Sequence, residues 1–432
     1  MRNKYLYSIR KMALLILGGV LFSCQSAEKS TPLSLTFKNE NATELAQVVT
    51  MPRAEVLKKL GDIPAGTLPV LFDGEQAIPV QFDDLDQDGQ WDEFSVWAFV
   101  GAEQEKTFAV KFMKNDELPA FKAFTDVHFG VKPSKEEGVR PVLKATIKKD
   151  ELPWDADFYP YQADGPMWEN DQIGFRQYFD GRNCKDVFGK RTADLSLHKI
   201  GFDAKGNPED NYHVLADWGR DIMQVGSSLG AGSLAMEVDG KMYRLGTKIN
   251  AKRNNVDSTK FTMINRGPIR GIFKLDYFGW DVAGEKINVS EIIYINRGEH
   301  CYRSTVTASG FEGERTLISG MVHLNNDFPM TKQLVNGKEV LMSHDKQTYN
   351  KEFYMGLALV VDAKQLKAVE LAPAKGDGIT STYCAKTNVK AGQAYHTQFF
   401  ATWGMQDERF RKSDYFQQFV VGAVGVKPIV LI

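Results

Sequence analysis

Apolar and polar residues alternate with a period of two along much of the chain. The pattern is clear at Leu33, Leu35 and Phe37. It returns in later segments: Phe108, Val110 and Phe112; residues 272–277; and Tyr302, Ser304 and Val306. Alternation of this kind predicts strands with one buried face. Helical periodicity is limited to residues 54–60 and 414–420, so we predict a mainly β fold.

Turn signals and a charged segment predict how the strands are grouped. Pairs typical of hairpins lie between predicted strands, as in Asp73-Gly74, Asp239-Gly240 and Asn336-Gly337. Residues 131–141 contain two prolines and the run Lys135-Glu136-Glu137, which is typical of a linker. Since the chain is too long for one hydrophobic core, we expect two modules. They are a small β-sandwich at residues 32–130 and a large antiparallel β assembly at 142–432, which carries the active site.

The first residues have the features of a lipoprotein signal peptide. Basic residues at the start precede an apolar run at 12–22 that is too short to span a bilayer, and Leu21-Phe22-Ser23-Cys24 follows the run. We predict removal of residues 1–23 and attachment of lipid to Cys24, which would anchor the protein to a membrane. The alternative is an ordinary secretory signal. Residues 24–31 are polar and predict a flexible tether, and the lack of an acidic run favours the periplasmic face of the cell envelope.

Composition excludes some ligands and leaves sugars open. The net charge of -2 and the absence of a basic stripe speak against nucleic-acid binding. The glycines of residues 226–232 lack the strand and helix of a dinucleotide fold, so we expect no nucleotide and no required cofactor. Aromatic residues are 11% of the chain. They suit both β-sandwich cores and the apolar faces of sugar rings.

An acidic segment resembles the first half of a calcium loop. It contains alternate carboxylates, a glycine and a further acid: Asp84, Asp86, Asp88, Gly89 and Asp92. Hard oxygen ligands at this spacing can converge on Ca²⁺. The alternative is a hydrogen-bonded hairpin turn without an ion. In both cases the segment has a structural role.

Two polar segments contain the candidate chemistry. The first has Glu169 and Asn170, followed by Arg176 and Tyr178, and the guanidinium could bind a carboxylate or form a structural ion pair with Glu169 or Asp171. The second segment offers a group for proton transfer, because histidine titrates near neutrality and tyrosine can act as an acid. Its residues are Tyr212, His213, Asp217, Trp218 and Arg220. The alternative for His213 is a solvated loop histidine.

Three further residues are dispersed. His323 and His396 lie in strand-like segments, where a histidine satisfied within the core is the alternative, and Trp403 follows in the run Phe399-Phe-Ala-Thr-Trp403-Gly404. No sequence motif of a zincin, a serine hydrolase or a P-loop protein occurs.

Four blocks in this order resemble the family catalogued as domain of unknown function 4861. They are residues 168–176, residues 212–232, residues 265–270 and residues 399–404. The resemblance implies a lipoprotein of Bacteroidetes polysaccharide-utilisation systems that is found beside enzymes for uronate polysaccharides. It also implies that the large module is similar to the β-supersandwich of polysaccharide lyases and galactose mutarotases. Fold similarity alone does not assign a reaction.

These observations lead to one hypothesis with two alternatives. We expect an enzyme that acts on uronic-acid oligosaccharides by β-elimination, as a lyase or a dehydratase. Arg176 would neutralise the uronate, His213 would remove the C5 proton, and Tyr212 or Tyr178 would protonate the leaving oxygen. His323 and His396 are further catalytic candidates. The expected substrate-binding residues are Glu169, Asn170, Asp217, Trp218, Arg220 and Trp403. The alternatives are a glycoside hydrolase with paired carboxylates and a non-catalytic glycan-binding lipoprotein.

Overall fold

A computed structural model describes residues 33–153, 158–250 and 253–432. The signal peptide, Cys24 and the tether lie outside the described residues, so the predictions for them stay predictions. Among the described residues, no helix is both long and apolar enough to cross a membrane.

The first module is a β-sandwich built from two antiparallel sheets. Its elements in chain order are β1 (Ser34–Lys38), β2 (Leu45–Pro52), α1 (Arg53–Leu60), β3 (Thr67–Asp73), β4 (Gln76–Ala77), β5 (Val80–Asp83), β6 (Glu93–Val100) and β7 (Glu105–Lys114). Strands β2, β6 and β5 form one sheet, and β1, β7, β3 and β4 belong to the other. The alternating residues Leu35, Phe37 and Phe108 lie in the core between the sheets. Their burial follows from the period-two pattern.

The second module is larger and is almost entirely β. Its strands are β8 (Thr125–His128), β9 (Gly130–Val131), β10 (Arg140–Pro141), β11 (Lys144–Lys148), β12 (Met167–Asn170), β13 (Ile173–Gln177), β14 (Lys185–Lys190), β15 (Gly219–Asp221), β16 (Ala231–Val238), β17 (Lys241–Arg244), β18 (Lys248–Asn250), β19 (Arg253–Asn254), β20 (Ser258–Asn265), β21 (Arg270–Val282), β22 (Glu285–Asn296), β23 (Cys301–Ser309), β24 (Glu314–Val322), β25 (Thr331–Val335), β26 (Lys338–Asp345), β27 (Met355–Asp362), β28 (Leu366–Leu371), β29 (Thr382–Lys390) and β30 (Ala394–Trp403). Helix α2 (Ser413–Gly425) and strand β31 (Val430–Leu431) follow.

Two layers of sheet enclose the main core of this module. One layer is a nine-stranded sheet in the order β11-β20-β21-β22-β23-β30-β27-β26-β25. The other contains two five-stranded sheets, β15-β14-β13-β12-β8 and β17-β16-β24-β29-β28. Aromatic side chains join the layers, and the ring centres of Phe175 and Tyr302 lie 4.9 Å apart. The predicted fold, mainly β with a small sandwich followed by a large antiparallel supersandwich, is confirmed.

The module boundaries differ from those predicted. Strand β8 lies before residue 130 but pairs with β12 of the large module. Residues 131–141 are not a simple linker, because β9 pairs with β10 and Val131 bridges to Tyr161. Strand β31 pairs with β1 of the first module, and Ile429 enters the core of that module. Chain order alone therefore does not separate the two modules.

The loop at residues 191–218 covers the outer face of the sheet that contains β12 to β15. Leu197, Ile200 and Tyr212 of the loop form an apolar cluster with Phe188 of β14. Because this loop crosses polar side chains on the same face, it creates the site described next.

Candidate functional site

Arg176 is the centre of a buried group that we name the Arg176 cluster: Arg176, Tyr178, Asp186 and Asp221. Strand register places Arg176 of β13 opposite Asp186 of β14. Arg176 donates to Asp186 Oδ2 from Nε at 3.2 Å and from Nη2 at 2.6 Å, and it also donates to Asp221 and to the Tyr178 hydroxyl. The Arg176 side chain is fully buried, so its charge is neutralised from within the protein.

The carboxylates of the cluster outnumber its one cation. Asp186 and Asp221 both contact the same guanidinium nitrogen, and like charges at such a distance disfavour ionisation of both groups. Burial, assisted by the neighbouring charge of Asp186, raises the pKa of Asp221 to about 8. Asp221 therefore keeps its proton to a higher pH than an exposed aspartate does. Perturbed carboxyl groups of this kind are common at functional sites.

A cavity of about 350 Å³ lies beside this cluster, and we name it the Asp164 cavity. Its lining includes Tyr159, Asp164, Arg182, Asp210 and Tyr212. The hydroxyl of Tyr159 donates to Asp164 Oδ1 at 2.6 Å, and that of Tyr212 donates to Asp164 Oδ2 at 2.9 Å. Burial raises the pKa of both phenols. Both phenols therefore keep their protons, and they donate them in hydrogen bonds to Asp164.

His213 connects the cavity lining with the buried cluster. Its Nε2 lies 2.9 Å from Asp210 Oδ1, and its Nδ1 lies 3.5 Å from Asp221 Oδ2. The hydrogen bond to Asp210 raises the pKa of His213, and partial burial opposes this effect. Asp221 adds to the rise only when it is ionised. The side chain of His213 is 42% exposed. It is therefore a titratable group that a ligand can reach.

Tyr349 brings an aromatic ring to the site from the loop between β26 and β27. The ring stacks on His213 with centres 5.9 Å apart and planes 26° apart. The backbone N–H of Tyr349 donates to the carbonyl of Ile222, and Glu352 of the same loop pairs with Arg220 at 2.8 Å. The next residue, Asn350, has a φ of 60°. Strained backbone held in place by such contacts is frequent at functional sites.

The structure contradicts several predicted roles in the first polar segment. Arg176 cannot receive a uronate carboxylate, because it is buried and already bound by Asp186 and Asp221. The structural alternative, an ion pair of Arg176 with Glu169 or Asp171, is also wrong, because Arg176 pairs with Asp186 and Asp221. Tyr178 is buried, donates to Asp186 and, unlike Tyr212, does not line the Asp164 cavity, so its predicted role as proton donor is not supported.

Glu169 and Asn170 are structural residues and do not reach a substrate. Glu169 is fully buried, pairs with Lys190 and accepts from the backbone N–H groups of Ser196 and Leu197. The side chain of Asn170 donates to the carbonyls of Asn296 and Glu299. Both residues hold loops against the sheet, and their predicted role in substrate binding is wrong.

The other predicted residues have different environments. Trp403 is fully buried beneath Gly189 and cannot be a sugar platform. Trp218 is half-buried against Phe188, Asp217 is exposed on the same loop, and Arg220 is buried with Glu352 as its partner. The role of Arg220 is therefore to hold the Tyr349 loop.

His323 and His396 lie apart from these groups. His323 packs against Tyr383 with ring centres 4.8 Å apart and the ring planes tilted by 49°. His396 is exposed on the nine-stranded sheet, where its Nδ1 lies 3.0 Å from the hydroxyl of Thr305. Neither has a described contact with the Arg176 cluster, so the predicted convergence is limited to Arg176, Tyr178, Tyr212 and His213.

The acidic loop brings three of its four predicted ligands together. Oxygens of Asp84, Asp86 and Asp88 lie within 4.8 Å of one another. Asp92 instead accepts from the backbone N–H of Leu85 at 2.7 Å. Asp84 and Asp88 also accept backbone hydrogen bonds within the turn. This arrangement suits a turn with or without an ion, and calcium binding stays a prediction.

Fold and site together define a two-module β protein with an acid–base cluster under a surface loop. The model of the family described as "Domain of unknown function (DUF4861)" matches residues 38–425, and the chain belongs to that family. The family predicted from the four sequence blocks is thus confirmed.

Known proteins similar to the chain do not assign its reaction. "Uncharacterized protein P7" of Formosa agariphila is 28% identical over 193 residues, which cover 42% of this chain and 46% of that protein. Two Enterococcus faecalis structures, an alpha-mannosidase and a glycosyl hydrolase family 38 protein, are 8% and 9% identical with TM-scores of 0.44. They cover 92% of this chain and 45% and 47% of those chains. A proposed aldose 1-epimerase from Klebsiella pneumoniae is 9% identical with a TM-score of 0.32, and the match covers 69% of this chain and 96% of that one.

Proposed function

We propose that the protein is a carbohydrate-active enzyme that acts on uronic-acid oligosaccharides by β-elimination. The observation that carries this proposal is the position of His213, between Asp210 of the cavity lining and the buried Asp221. A carboxyl group behind the imidazole orients the ring, as in other acid–base sites. The phenol of Tyr212 lines the same cavity and keeps its proton.

The reaction assigns one role to each group that lines or borders the Asp164 cavity, including the buried Tyr212, whose hydroxyl would have to leave Asp164 to reach a substrate. Arg182 takes the role first given to Arg176, because its side chain is 38% exposed and lines the cavity. Its guanidinium would neutralise the uronate. His213 would take the C5 proton, the electron pair of that C–H bond would form the C4–C5 double bond, and the C4–O bond would break. Tyr212 would give a proton to the leaving oxygen. Tyr349, rather than Trp403, would offer an aromatic face to the sugar.

The test uses the purified chain with saturated and unsaturated uronate oligosaccharides. Product formation is followed by the ultraviolet absorbance of the new double bond. We expect His213→Ala to lower the rate by about 10²–10⁴-fold, the range for loss of a general acid or base. His396→Ala is the matched control, since His396 is exposed on another sheet, and it should retain full activity. Undiminished elimination by His213→Ala would refute the assignment.

Hydrolysis is a second candidate because of the charge of the cavity. Asp164, Glu209 and Asp210 all line it, whereas Arg182 is its one lining cation among the described residues. A glycoside hydrolase usually has two catalytic carboxyl groups that face the same cavity. New reducing ends without ultraviolet absorbance, lost in Asp164→Asn, would favour this reaction. Binding without turnover would instead indicate a glycan-binding protein.

We also propose that the mature protein is anchored to the cell envelope by lipid on Cys24. The basic start, the short apolar run and the Leu21-Phe22-Ser23-Cys24 sequence support this proposal. The periplasmic face is proposed from the absence of an acidic run in the tether. An enzyme in that position would meet oligosaccharides that have already been cut and imported.

A further inference from the structure

A second cavity lies apart from the Asp164 cavity. Its volume is about 640 Å³, which is within the range of small-molecule sites. Both modules line it: Phe82 comes from β5, Asp126 from β8, His198 from the loop at 191–218, and Arg266 from the turn after β20. None of the residues that line it lines the Asp164 cavity.

The polar wall of this interdomain cavity is a fixed ion pair. Arg266 donates to Asp126 from Nε at 2.7 Å and from Nη2 at 3.1 Å. The bidentate contact holds the guanidinium in one plane. The Arg266 side chain remains 51% exposed, and its Nη1 has no hydrogen-bond partner among the described residues. The arginine therefore offers fixed donors to a ligand.

His198 adds a second polar group to the lining. Its Nδ1 is buried, has no hydrogen-bond partner among the described residues and lies 3.8 Å from Asp126 Oδ2. Burial lowers the pKa of His198, so the ring is neutral near neutral pH. A neutral imidazole can exchange one hydrogen bond with a hydroxyl group.

The opposite lining is apolar and partly aromatic. Phe82, Leu118, Phe121 and Pro268 line the cavity and are half-buried. An apolar wall facing fixed hydrogen-bonding groups matches a sugar ring, which has apolar C–H faces and a rim of hydroxyls.

The charges of the wall select among sugars. Asp126 and Arg266 cancel each other, and His198 is neutral. An anionic ligand at Nη1 of Arg266 would be repelled by the carboxylate of Asp126, which already neutralises the guanidinium. A cationic ligand would have to displace Arg266 from Asp126, which leaves the guanidinium unpaired at a partly buried place and is costly. We propose that this interdomain cavity is a binding site for an uncharged sugar residue, separate from the site of the proposed reaction.

The experiment measures sugar binding by the full chain. The probes are galactose, glucose, mannose, xylose and rhamnose, with galacturonate as the charged comparison. Saturation-transfer NMR identifies which sugars bind, and calorimetry gives their dissociation constants. We expect at least one neutral sugar to bind more tightly than galacturonate. His213→Ala should bind that sugar as the wild type does, so a failure of the proposed reaction would not affect this result.

Two variants locate the bound sugar. Ala123 is exposed and lines the cavity, so Ala123→Trp should fill its mouth and weaken binding at least tenfold. Ala102→Trp is the matched control, because Ala102 is exposed on the turn between β6 and β7, and it should bind as the wild type does. Arg266→Lys keeps the charge but loses the planar fork, and it should also weaken binding. If Ala123→Trp does not fold, the dissociation constant of the sugar for Arg266→Lys tests the location of the site.

Three outcomes would overturn the proposal. They are no binding by any neutral sugar, tighter binding of galacturonate than of every neutral sugar, and wild-type affinity in both the Ala123→Trp and the Arg266→Lys variants.

Discussion

Replacement of Asp221 by asparagine tests whether this buried carboxyl group is protonated at neutral pH. Asparagine has the shape of a protonated carboxyl group and no charge. Asp221 is 2% exposed and shares the guanidinium of Arg176 with Asp186. If Asp221 already holds a proton, Asp221→Asn removes no charge near neutrality. The variant should then be about as stable as the wild type at about pH 4 and below, where the unfolded chain also holds this proton.

The difference between the two proteins should grow as the pH rises. The pKa of Asp221 is about 8 in the folded protein, compared with the ordinary value of 3.8 that applies to the unfolded chain. Between these values the unfolded chain has lost the proton while the folded chain keeps it. The contribution of Asp221 to the free energy of unfolding is therefore complete below pH 3.8, decreases as the pH rises, and is fully lost above about pH 8. The loss amounts to roughly 1.4 kcal/mol per pH unit. Asp221→Asn lacks this dependence, so it should gain about 2–3 kcal/mol relative to the wild type over two pH units.

Urea denaturation at several pH values measures this difference. Spectra of both proteins should show one common transition, because the free energy of unfolding is defined only for a two-state change. Asp217→Asn is the control, since Asp217 is an exposed carboxylate on the loop next to the site. A stability difference for Asp221→Asn that stays constant between about pH 5 and about pH 8 would mean that Asp221 is ionised in the folded protein. The proposed link between Asp221 and His213 would then be an ordinary ion pair.

Three further predictions concern the site and the anchor. The hydrogen bond to Asp210 raises the pKa of His213, so kcat/KM for elimination should rise with pH through a value above 6.5. Asp210→Asn should shift this rising part of the pH profile to lower pH. An unshifted profile would contradict the hydrogen bond between His213 and Asp210. Tyr349→Ala should lower kcat/KM at least tenfold and Tyr349→Phe less than twofold, because the ring of Tyr349 rather than its hydroxyl faces His213. Equal losses for the two variants in steady-state assays would argue against a role for ring stacking. Cys24→Ala should abolish incorporation of labelled fatty acid and release the protein from the membrane fraction, and persistent labelling would exclude Cys24 as the attachment residue.

The fold was predictable where alternation decides which side of a strand is buried. Leu35 and Phe37 are buried as their spacing predicts, and both predicted helices are present as α1 and α2. Strand β13 shows the limit, because all its residues are buried and no period distinguishes its faces. Trp403 also shows this limit, because an aromatic residue suits a sugar platform by type alone, whereas Trp403 is fully buried in the core. The path of β31 back to β1 has no local signal.

The candidate site was predictable only in its local part. Tyr212 and His213 are neighbours in sequence, so their pairing was evident from the chain. Asp186 meets Arg176 through strand register, and Tyr349 arrives on a loop of the opposite layer. Such contacts depend on tertiary structure and leave no spacing in the sequence. Asp164, Asp210 and Arg182 were missed for this reason, although each is a polar residue close to an identified block.

The pairing of β31 with β1 has a consequence for the order of folding. Phe37 and Lys38 lie opposite Leu431 and Val430, so the first module is completed by residues from the far end of the chain. Until those residues are made, β1 has a free edge, which is a template for pairing with other chains. Ile429 is also missing from the core of the module during that time. We therefore expect the first module to be prone to aggregation until residues 429–431 have been made.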